Sequence, residues 1–269
     1  MNLSPNAPTS QRVVDPGASP SAAAAGEAAH DGVARTVPAR ASPVVVLLLA
    51  DIASGLDRLW GHARFVLGPR ALRGRVAGVR FAKVLGSGHE GGFGLRPSAS
   101  RQGLFVLLED APSASAFLDR SPVAEAYRRH AREFCQLELH PVSSRGSWSG
   151  HAIQPGTVVP RGVGVAALTR ASIRPSRAAE FWRHATPSQR ALEHAEGCRL
   201  AVGLGEAPLL RQATFSLWDS TAAMEAYARS GAHLQAIRAA YRDEYFSETM
   251  FVRFVPVRVE GVWKGRRIG

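Results

Sequence analysis

Two nine-residue segments, GVRFAKVLG at 78–86 and GCRLAVGLG at 197–205, carry identical residues at five positions. Two further blocks match in the same order: FVLLEDAPSASAFLDRSP (105–122) with FSLWDSTAAMEAYARSG (215–231), and Pro-Val…Gly-x-Trp-x-Gly at 141–150 with the same pattern at 256–265. The repeat period of about 110 residues is too long for a solenoid, so the pattern indicates one internal duplication.

Hydrophobic periodicity predicts the same succession of elements in each half. In the second half we predict strands at 165–173, 198–204, 213–218 and 251–257, and helices at 176–195 and 221–245. In the first half we predict strands near 44–50, 79–85, 104–109 and 136–142. The order β-α-β-β-α-β is that of a ferredoxin-like unit. We therefore expect an α+β fold of two tandem ferredoxin-like halves, residues 43–155 and 160–269. By analogy with fold families, the two halves join into a dimeric-α/β-barrel-like unit with a cavity between sheet and helices.

The first 42 residues differ from the rest of the 269-residue chain. They are rich in Ala, Pro, Ser and Gly and contain no aromatic residue, so we expect a disordered tail. The aliphatic run at 44–50 is much shorter than the roughly 18 apolar residues of a spanning helix, and we interpret it as a buried strand. Cys135 and Cys198 lack metal or disulfide spacing, and we expect reduced core thiols in a cytoplasmic protein.

The formal net charge is +11, carried by arginine: Lys83 and Lys264 are the only lysines. No run of five or more basic residues occurs, so we expect no nucleic-acid partner. An anionic lipid surface or an acidic electron-donor protein remains open as a partner. A genome that encodes most cations as arginine explains the charge equally well.

Standard catalytic motifs such as G-x-x-x-x-G-K-[ST], H-E-x-x-H and G-x-S-x-G are missing from the sequence. The glycine-rich segment 86–94 follows a predicted strand but precedes another strand, whereas a dinucleotide site needs a helix there. We expect its bare backbone either to approach a large flat ligand or to form a mobile lid.

Single acids and histidines offer several candidate site residues. Glu206 is the best-placed acid, with simple exposure at a strand end as the alternative, and no pair of carboxylates stands out. His233 lies on or beside the apolar face of the last helix, and His130 and His184 occupy comparable positions on other helices. For each one alone, the position favours a hydrogen-bonded core or boundary histidine, whereas the three as a set leave one metal- or haem-ligating histidine open.

Aromatic residues concentrate in the second half. Core packing accounts for most of them, but this half is the better equipped to line an apolar pocket for a long hydrocarbon. The residues that we expect to line this pocket are Phe181, Trp182, Phe215 and Trp218.

Three segments resemble the spheroidene monooxygenase family, which oxygenates acyclic carotenoids. They are FAKVLGSGHEGGFGLRPS (81–98), the stretch 167–228 that contains RQATFSLWD, and HLQAIRAAYRDEYFSETMFVRF (233–254). The resemblance covers about residues 43–265, that is, all but the tail.

This resemblance implies a carotenoid monooxygenase that hydroxylates its substrate repeatedly at C-2 and loses water to give a ketone. It also implies molecular oxygen, a reduced ferredoxin-type donor and haem. Within that expectation we place His233 as the axial iron ligand and Arg211 as a partner of the haem propionates. A lipophilic substrate is compatible with a cytoplasmic protein that rests on the inner membrane. The alternatives are a non-catalytic module that binds haem or a lipophile, and a cofactor-free oxygenase or isomerase.

Overall fold

The first strand, β1 (Val44–Ile52), is the aliphatic run VVVLLLADI, and all nine of its residues are buried. The computed structural model describes residues 42–68, 70, 76–92, 96–156, 164–207, 209–229 and 231–269. Asp51 lies inside this strand, where Arg101 Nε and Arg132 Nη2 donate to its Oδ2 at 3.2 and 2.8 Å. Because two guanidinium groups bind the carboxylate, β1 continues two residues beyond its predicted end.

Strands and helices alternate along the described chain in the order β-α-β-β-α-α-β, given twice, followed by a short terminal strand. The remaining strands are β2 (Val79–Gly88), β3 (Pro97–Leu108), β4 (Ala131–Gly146), β5 (Val165–Ile173), β6 (Cys198–Ala207), β7 (Arg211–Trp218), β8 (Phe246–Trp263) and β9 (Arg266–Arg267). The helices are α1 (Leu56–Leu67), α2 (Ala111–Arg120), α3 (Pro122–His130), α4 (Ala178–Glu193), α5 (Thr221–Ala228) and α6 (Gly231–Arg242).

The strands form one large antiparallel sheet in the order β4-β1-β3-β2-β6-β7-β5-β8-β9. Strands β4 and β8 also pair with each other, which closes the eight long strands into a barrel. Each half of the chain contributes four neighbouring strands. The two junctions between the halves are therefore the long β4–β8 ladder and the short contact of β2 with β6, which we call the β2–β6 seam.

The core is divided by the sheet because successive side chains of a strand point to opposite faces. Inside the barrel, one apolar cluster combines both halves and includes Leu47, Phe105, Leu168, Phe215 and Phe254. Outside it, one cluster packs beneath the helices of the first half and a smaller cluster beneath those of the second. This arrangement leaves the space between the outer face and the helices available for a cavity.

The predicted helix at 221–245 is wrong, since two helices, α5 and α6, occupy that stretch. Arg229 follows α5 as its C-cap, and Gly231 begins α6 with φ of 52°, a left-handed conformation that interrupts a continuous helix. Glu244, with φ of 47°, lies beyond the end of α6. Ser220 begins the pair by accepting a hydrogen bond from the Ala223 backbone at 3.1 Å.

The repeated Gly-x-Trp-x-Gly closures place one tryptophan at each end of the barrel. Trp148 follows β4 and Trp263 ends β8, and because these strands are antiparallel the two indoles lie at opposite ends. Each side chain is 1% exposed. The preceding Gly146 and Gly261 have positive φ, and a Cβ on either would stand 2.1 Å from a backbone oxygen of the paired strand. Only glycine permits this close approach of β4 and β8.

The described helices include none that is long and apolar enough to cross a membrane. The tail predicted at 1–42 lies, apart from Ser42, outside the described residues. Cys135 is a buried free thiol whose pKa is raised to about 12 by burial, as expected of a core residue. Cys198 is also free but only partly buried, so it is a boundary residue rather than a core one.

Candidate active-site cavity

A cavity of about 400 Å³ lies on the outer face of the sheet, over the β2–β6 seam and between α1 and α4. Its floor is glycine-rich: Gly86 and Gly88 come from β2, and Gly203 and Gly205 from β6. These residues alternate with inward-facing Leu85 and Leu204 of the barrel core, so the glycines face outward. The floor is therefore bare backbone contributed by both halves of the chain.

Hydrogen bonds hold the two strands of this floor together. The backbone pairs Gly86 with Gly205 and Ser87 with Leu204. The Ser87 hydroxyl also donates to the Gly203 carbonyl at 2.6 Å. Since the strands share few ladder bonds, this side-chain bond adds a fixed point to the seam.

The walls are mainly apolar and come from helices and loops on both sides. Phe65 and His62 of α1 form one side, and Trp182 of α4 together with Leu209 forms the other. The Trp182 indole donates to the Leu209 carbonyl at 3.1 Å, which fixes the ring against the loop. An apolar slot with few polar groups suits a hydrocarbon ligand.

One lining residue, Gln102, has a buried polar atom without a protein partner. The Gln102 amide nitrogen donates to the Gly61 carbonyl of α1 at 2.8 Å, which determines the orientation of the amide. The amide oxygen, Oε1, is buried and has no hydrogen-bond partner among the described residues. Because a buried acceptor without a partner is costly, the Gln102 oxygen is an unsatisfied polar point beside the apolar slot.

A second polar feature lies inside the barrel, at the end that Trp148 closes. Arg170 is 2% exposed; its Nη1 donates to Glu248 Oε2, and its Nη2 donates to Glu206 Oε1 at 3.2 Å. Lys83 Nζ and the Trp148 indole also donate to Glu206, both at 2.6 Å. We call Lys83, Trp148, Arg170, Glu206 and Glu248 the barrel-end ion network.

The environment of this network keeps both carboxylates ionised. Burial raises the pKa of Glu206, but the hydrogen bonds from Lys83 and Trp148 and the nearby cations outweigh it, so the pKa lies below its usual range. Burial likewise raises the pKa of Glu248. Hydrogen bonds from the Gly150 backbone and the Ser147 hydroxyl outweigh this effect and lower the pKa to about 2. The network has two cations and two anions and is locally neutral.

Two sequence-based expectations about acids are corrected by this geometry. The Glu206 side chain is 12% exposed, so the alternative of simple exposure at a strand end is wrong. Glu206 and Glu248 also form a carboxylate pair around Arg170, although no pair stood out in the sequence. The sequence pattern that could have revealed the network is a charged residue at an inward-facing position of an otherwise apolar strand. Lys83 is an example, since it lies between the core residues Phe81 and Leu85.

The four aromatic residues predicted to line one pocket do not surround one cavity. Trp182 lines the cavity described above, and Phe181 of the same helix packs edge-on against Tyr245 and Phe246. Phe215 lies inside the barrel, whereas Trp218 belongs to the outer cluster beneath the second-half helices. Phe215 and Trp218 are three positions apart along β7, and side chains an odd number of positions apart in a strand point to opposite faces.

The structure describes the side chains of only some of the residues that were considered as haem partners. His233 lies in α6 and His184 in α4, but their side chains are outside the described residues. Arg211 begins β7 with an exposed side chain, next to the cavity residue Gln212. His130 bonds through Nδ1 to Asp57 at 2.7 Å and stacks on a tryptophan, as expected of a structural histidine.

The cavity histidine that the sequence reasoning missed is His62. It lies three residues before Phe65 on α1, and both side chains line the cavity. Helical spacing from Phe65 was the available signal, but the bounds of the first helix were not predicted.

Comparison with known proteins identifies the family. No family model matches the chain. Among solved structures, aldoxime dehydratase aligns with a TM-score of 0.52 over 86% of each chain at 12% identity, a likeness that shows the fold alone. A spheroidene monooxygenase from Rubrivivax gelatinosus is 63% identical over 226 residues, which cover 84% of this chain and 87% of the relative. A second, from Rhodobacter capsulatus, is 33% identical over 232 residues, or 83% of this chain and 94% of the relative. The chain therefore belongs to the spheroidene monooxygenase family, whose members are oxidoreductases.

Proposed function

We propose that this protein hydroxylates an acyclic, spheroidene-like carotenoid at C-2 and converts that carbon to a ketone. The names of its relatives support a carotenoid monooxygenase. The structural observation that carries the proposal is the cavity over the β2–β6 seam, with its mainly apolar walls and the unpaired, buried oxygen of Gln102. The alternative of a non-catalytic binding module does not agree with membership of an enzyme family.

The size of the cavity determines how such a substrate binds. A volume of about 400 Å³ is too small to enclose a whole carotenoid, so only the end of the chain enters. C-2 lies near that end of an acyclic carotenoid. Phe65, Trp182 and Leu209 of the walls contact the hydrocarbon.

Gln102 provides a reason for repeated oxidation at one carbon. Each hydroxylation inserts one oxygen atom of O2 into a C–H bond, while the other leaves as water with two electrons, delivered one at a time by the donor protein, and two protons from the solvent. After the first turnover the new hydroxyl donates to the Gln102 oxygen, which holds the same carbon in place. The second turnover gives a geminal diol, and loss of water leaves the ketone.

We propose haem as the group that activates O2. The described residues fit a flat ring in two respects, since the floor is bare glycine backbone and His62 presents an imidazole on the wall. His233 is the axial ligand that the family resemblance indicates, with Arg211 beside the propionates, and His62 is the second candidate. When bound, haem would supply the oxidising equivalent, and the apolar walls would exclude water from it.

The electron donor and location complete the proposal. A reduced ferredoxin-type protein supplies the electrons, since an acidic donor suits a chain of net charge +11. The protein acts in the cytoplasm, in contact with the inner membrane that holds its lipophilic substrate.

We also propose that residues 43–155 and 160–269 are two ferredoxin-like repeats. The identical order of elements and the placement of the repeated nonapeptides on β2 and β6 support this assignment. Its functional consequence is a cavity floor built from equivalent strands of the two halves. Superposition of the halves in an experimental structure tests it, and a poor match of the four strands would contradict it.

Pigment analysis tests the function. Expression in a host that accumulates spheroidene or lycopene should give keto products, identified by mass and absorption. A Gln102→Leu variant should accumulate the singly hydroxylated intermediate instead. Unchanged pigment despite folded protein and a supplied donor would contradict the proposal.

An absorption spectrum, recorded with and without haemin, tests the cofactor separately. A Soret band lost in His233→Ala but kept in His62→Ala assigns His233, and the reverse assigns His62. Keto products without any Soret band would indicate a cofactor-free oxygenase.

A further inference from the structure

Helix α1 carries an apolar face that points into solvent. Leu56 and Val66 are each 82% exposed, Leu59 is 65% exposed and Leu67 is 54% exposed. At 3.6 residues per turn, these four side chains fall within an arc of about 100° on one side of the helix. Large apolar residues scattered over a surface are common, but a continuous stripe along one helix marks a binding surface.

The opposite face of α1 is already packed on the barrel. Gly61 is buried, and its carbonyl accepts the hydrogen bond from Gln102. Phe65 packs against the apolar cluster beneath the first-half helices. Because these contacts fix the rotation of the helix, the exposed stripe cannot turn inward without breaking them.

The sequence around the stripe is strongly basic. Between Leu56 and Arg80 it contains six arginines and a single acidic residue, Asp57. The Asp57 carboxylate is engaged by His130 at 2.7 Å. This stretch of 25 residues therefore supplies +5 of the net charge of +11. An apolar helix face within an arginine-rich stretch of sequence is the composition of helices that lie in the interface of an anionic bilayer.

The same helix forms a wall of the cavity. His62 and Phe65 line the cavity, and Leu209, which is 43% exposed, stands on its other wall. The apolar stripe and the cavity therefore lie on adjacent sides of one helix. A ligand that leaves the bilayer beside α1 reaches the cavity with little passage through water.

We propose that α1 is an interfacial helix that docks this protein on an anionic lipid bilayer, with its exposed leucines and valine in the acyl-chain boundary. Docking itself is independent of the enzyme's substrate. The further role of the helix, delivery of a lipophilic substrate from the bilayer to the cavity, rests on the proposed function.

Vesicle flotation tests the docking. The full chain should float with vesicles of phosphatidylcholine containing phosphatidylglycerol, and much less with phosphatidylcholine alone or at high salt. The double variant Leu59→Glu/Val66→Glu should weaken binding at least about tenfold, since it places two carboxylates in the docking face. The matched control is Val257→Glu/Val262→Glu, which adds the same charge at residues of β8 that are 44% and 39% exposed. Circular dichroism and thermal unfolding confirm that both variants are folded.

Three outcomes would overturn the proposal. The first is a wild-type chain that does not float with anionic vesicles, and the second is equal loss of binding in both double variants. The third is a dimer in solution that Leu59→Glu/Val66→Glu dissociates, without vesicle binding by the wild type, which would assign the face to a second copy of the chain.

A paired activity assay separates delivery from catalysis. The α1 double variant should convert carotenoid supplied in detergent at the wild-type rate, but fail with carotenoid embedded in vesicles. Loss of both activities in the wild type, with vesicle binding intact, would contradict the proposed function and leave the docking in place. Equal rates from vesicles for the variant and the wild type would refute delivery by α1.

Discussion

Gly86 of β2 lies directly opposite Gly205 of β6, and these are the final residues of the two repeated nonapeptides. The two similar nonapeptides thus meet in space, and the point at which they meet is the floor of the cavity. Neither residue carries a side chain, so two strands from different halves present one smooth surface.

Filling this floor should abolish activity without unfolding the protein. A Cβ on Gly86 would meet Phe65 at 3.6 Å, an ordinary contact, whereas a longer side chain would project into the cavity. We expect Gly86→Leu to lower carotenoid conversion at least about tenfold, and Gly86→Ala to change it less than about threefold. Product yield measures the effect, and similar unfolding temperatures show that the fold is intact. Full activity of Gly86→Leu would place the substrate elsewhere.

Removing the central cation of the barrel-end ion network should be severely destabilising. Arg170→Met would remove the buried guanidinium that the part-buried Glu206 and Glu248 share, and we expect a loss of about 3–5 kcal/mol in the free energy of unfolding. The control Arg229→Met breaks an ion pair whose arginine is 77% exposed, and should cost less than about 1 kcal/mol. Urea denaturation measures the free energy of unfolding of both variants. Equal losses would contradict the view that the buried position of Arg170 makes its removal costly.

Acid should destabilise the protein partly through Glu248. Its pKa is lowered from 4.5 to about 2 in the folded chain, so the stability it contributes is present above pH 4.5 and is lost as the pH falls toward 2. Glu248→Gln should therefore cost about 2 kcal/mol at pH 7 and flatten the decline of unfolding free energy below pH 4.5. Urea denaturation from pH 3 to 7 measures this. In the control Glu196→Gln, at an exposed turn position, the decline should match the wild type.

The glycines of the two closures should tolerate alanine very differently. Gly146 and Gly150 both have positive φ, but a Cβ on Gly146 would stand 2.1 Å from the Thr249 carbonyl oxygen, while one on Gly150 meets nothing within 4 Å. We expect Gly150→Ala to cost about 1 kcal/mol through backbone strain alone. Gly146→Ala adds overpacking and should cost at least about 3 kcal/mol. Thermal unfolding compares the pair, and equal stabilities would contradict the tight β4–β8 approach.

Local patterns predicted most of the elements. Strand β5 has the predicted bounds 165–173, because its apolar alternation ends at Pro175, where a short 3-10 helix begins. The prediction of one helix at 221–245 was wrong because the apolar spacing on both sides of Gly231 favoured a continuous helix, and a single glycine was not taken as a break.

The site was harder to predict than the elements. Its floor depends on which strands become neighbours, and β2 and β6 are separated by more than a hundred residues. Trp182 was predicted because it is a large aromatic residue, whereas the glycines opposite it have no side chain to suggest a ligand. Lys83 and Glu206 likewise meet only after the barrel closes, so the sequence shows them as isolated charges in apolar strands.

Closure of the sheet through β4 and β8 also determines what each half of the chain would do alone. Cut between β4 and β5, the first half keeps β4-β1-β3-β2 and exposes β4 and β2 as bare edges, and the second half likewise exposes β6 and β8. Exposed edges recruit other strands, and in the intact protein each edge pairs with the strand that has the same place in the element order of the other half. We therefore expect a separated half to associate with other chains through both edges, and closure within one chain removes that tendency.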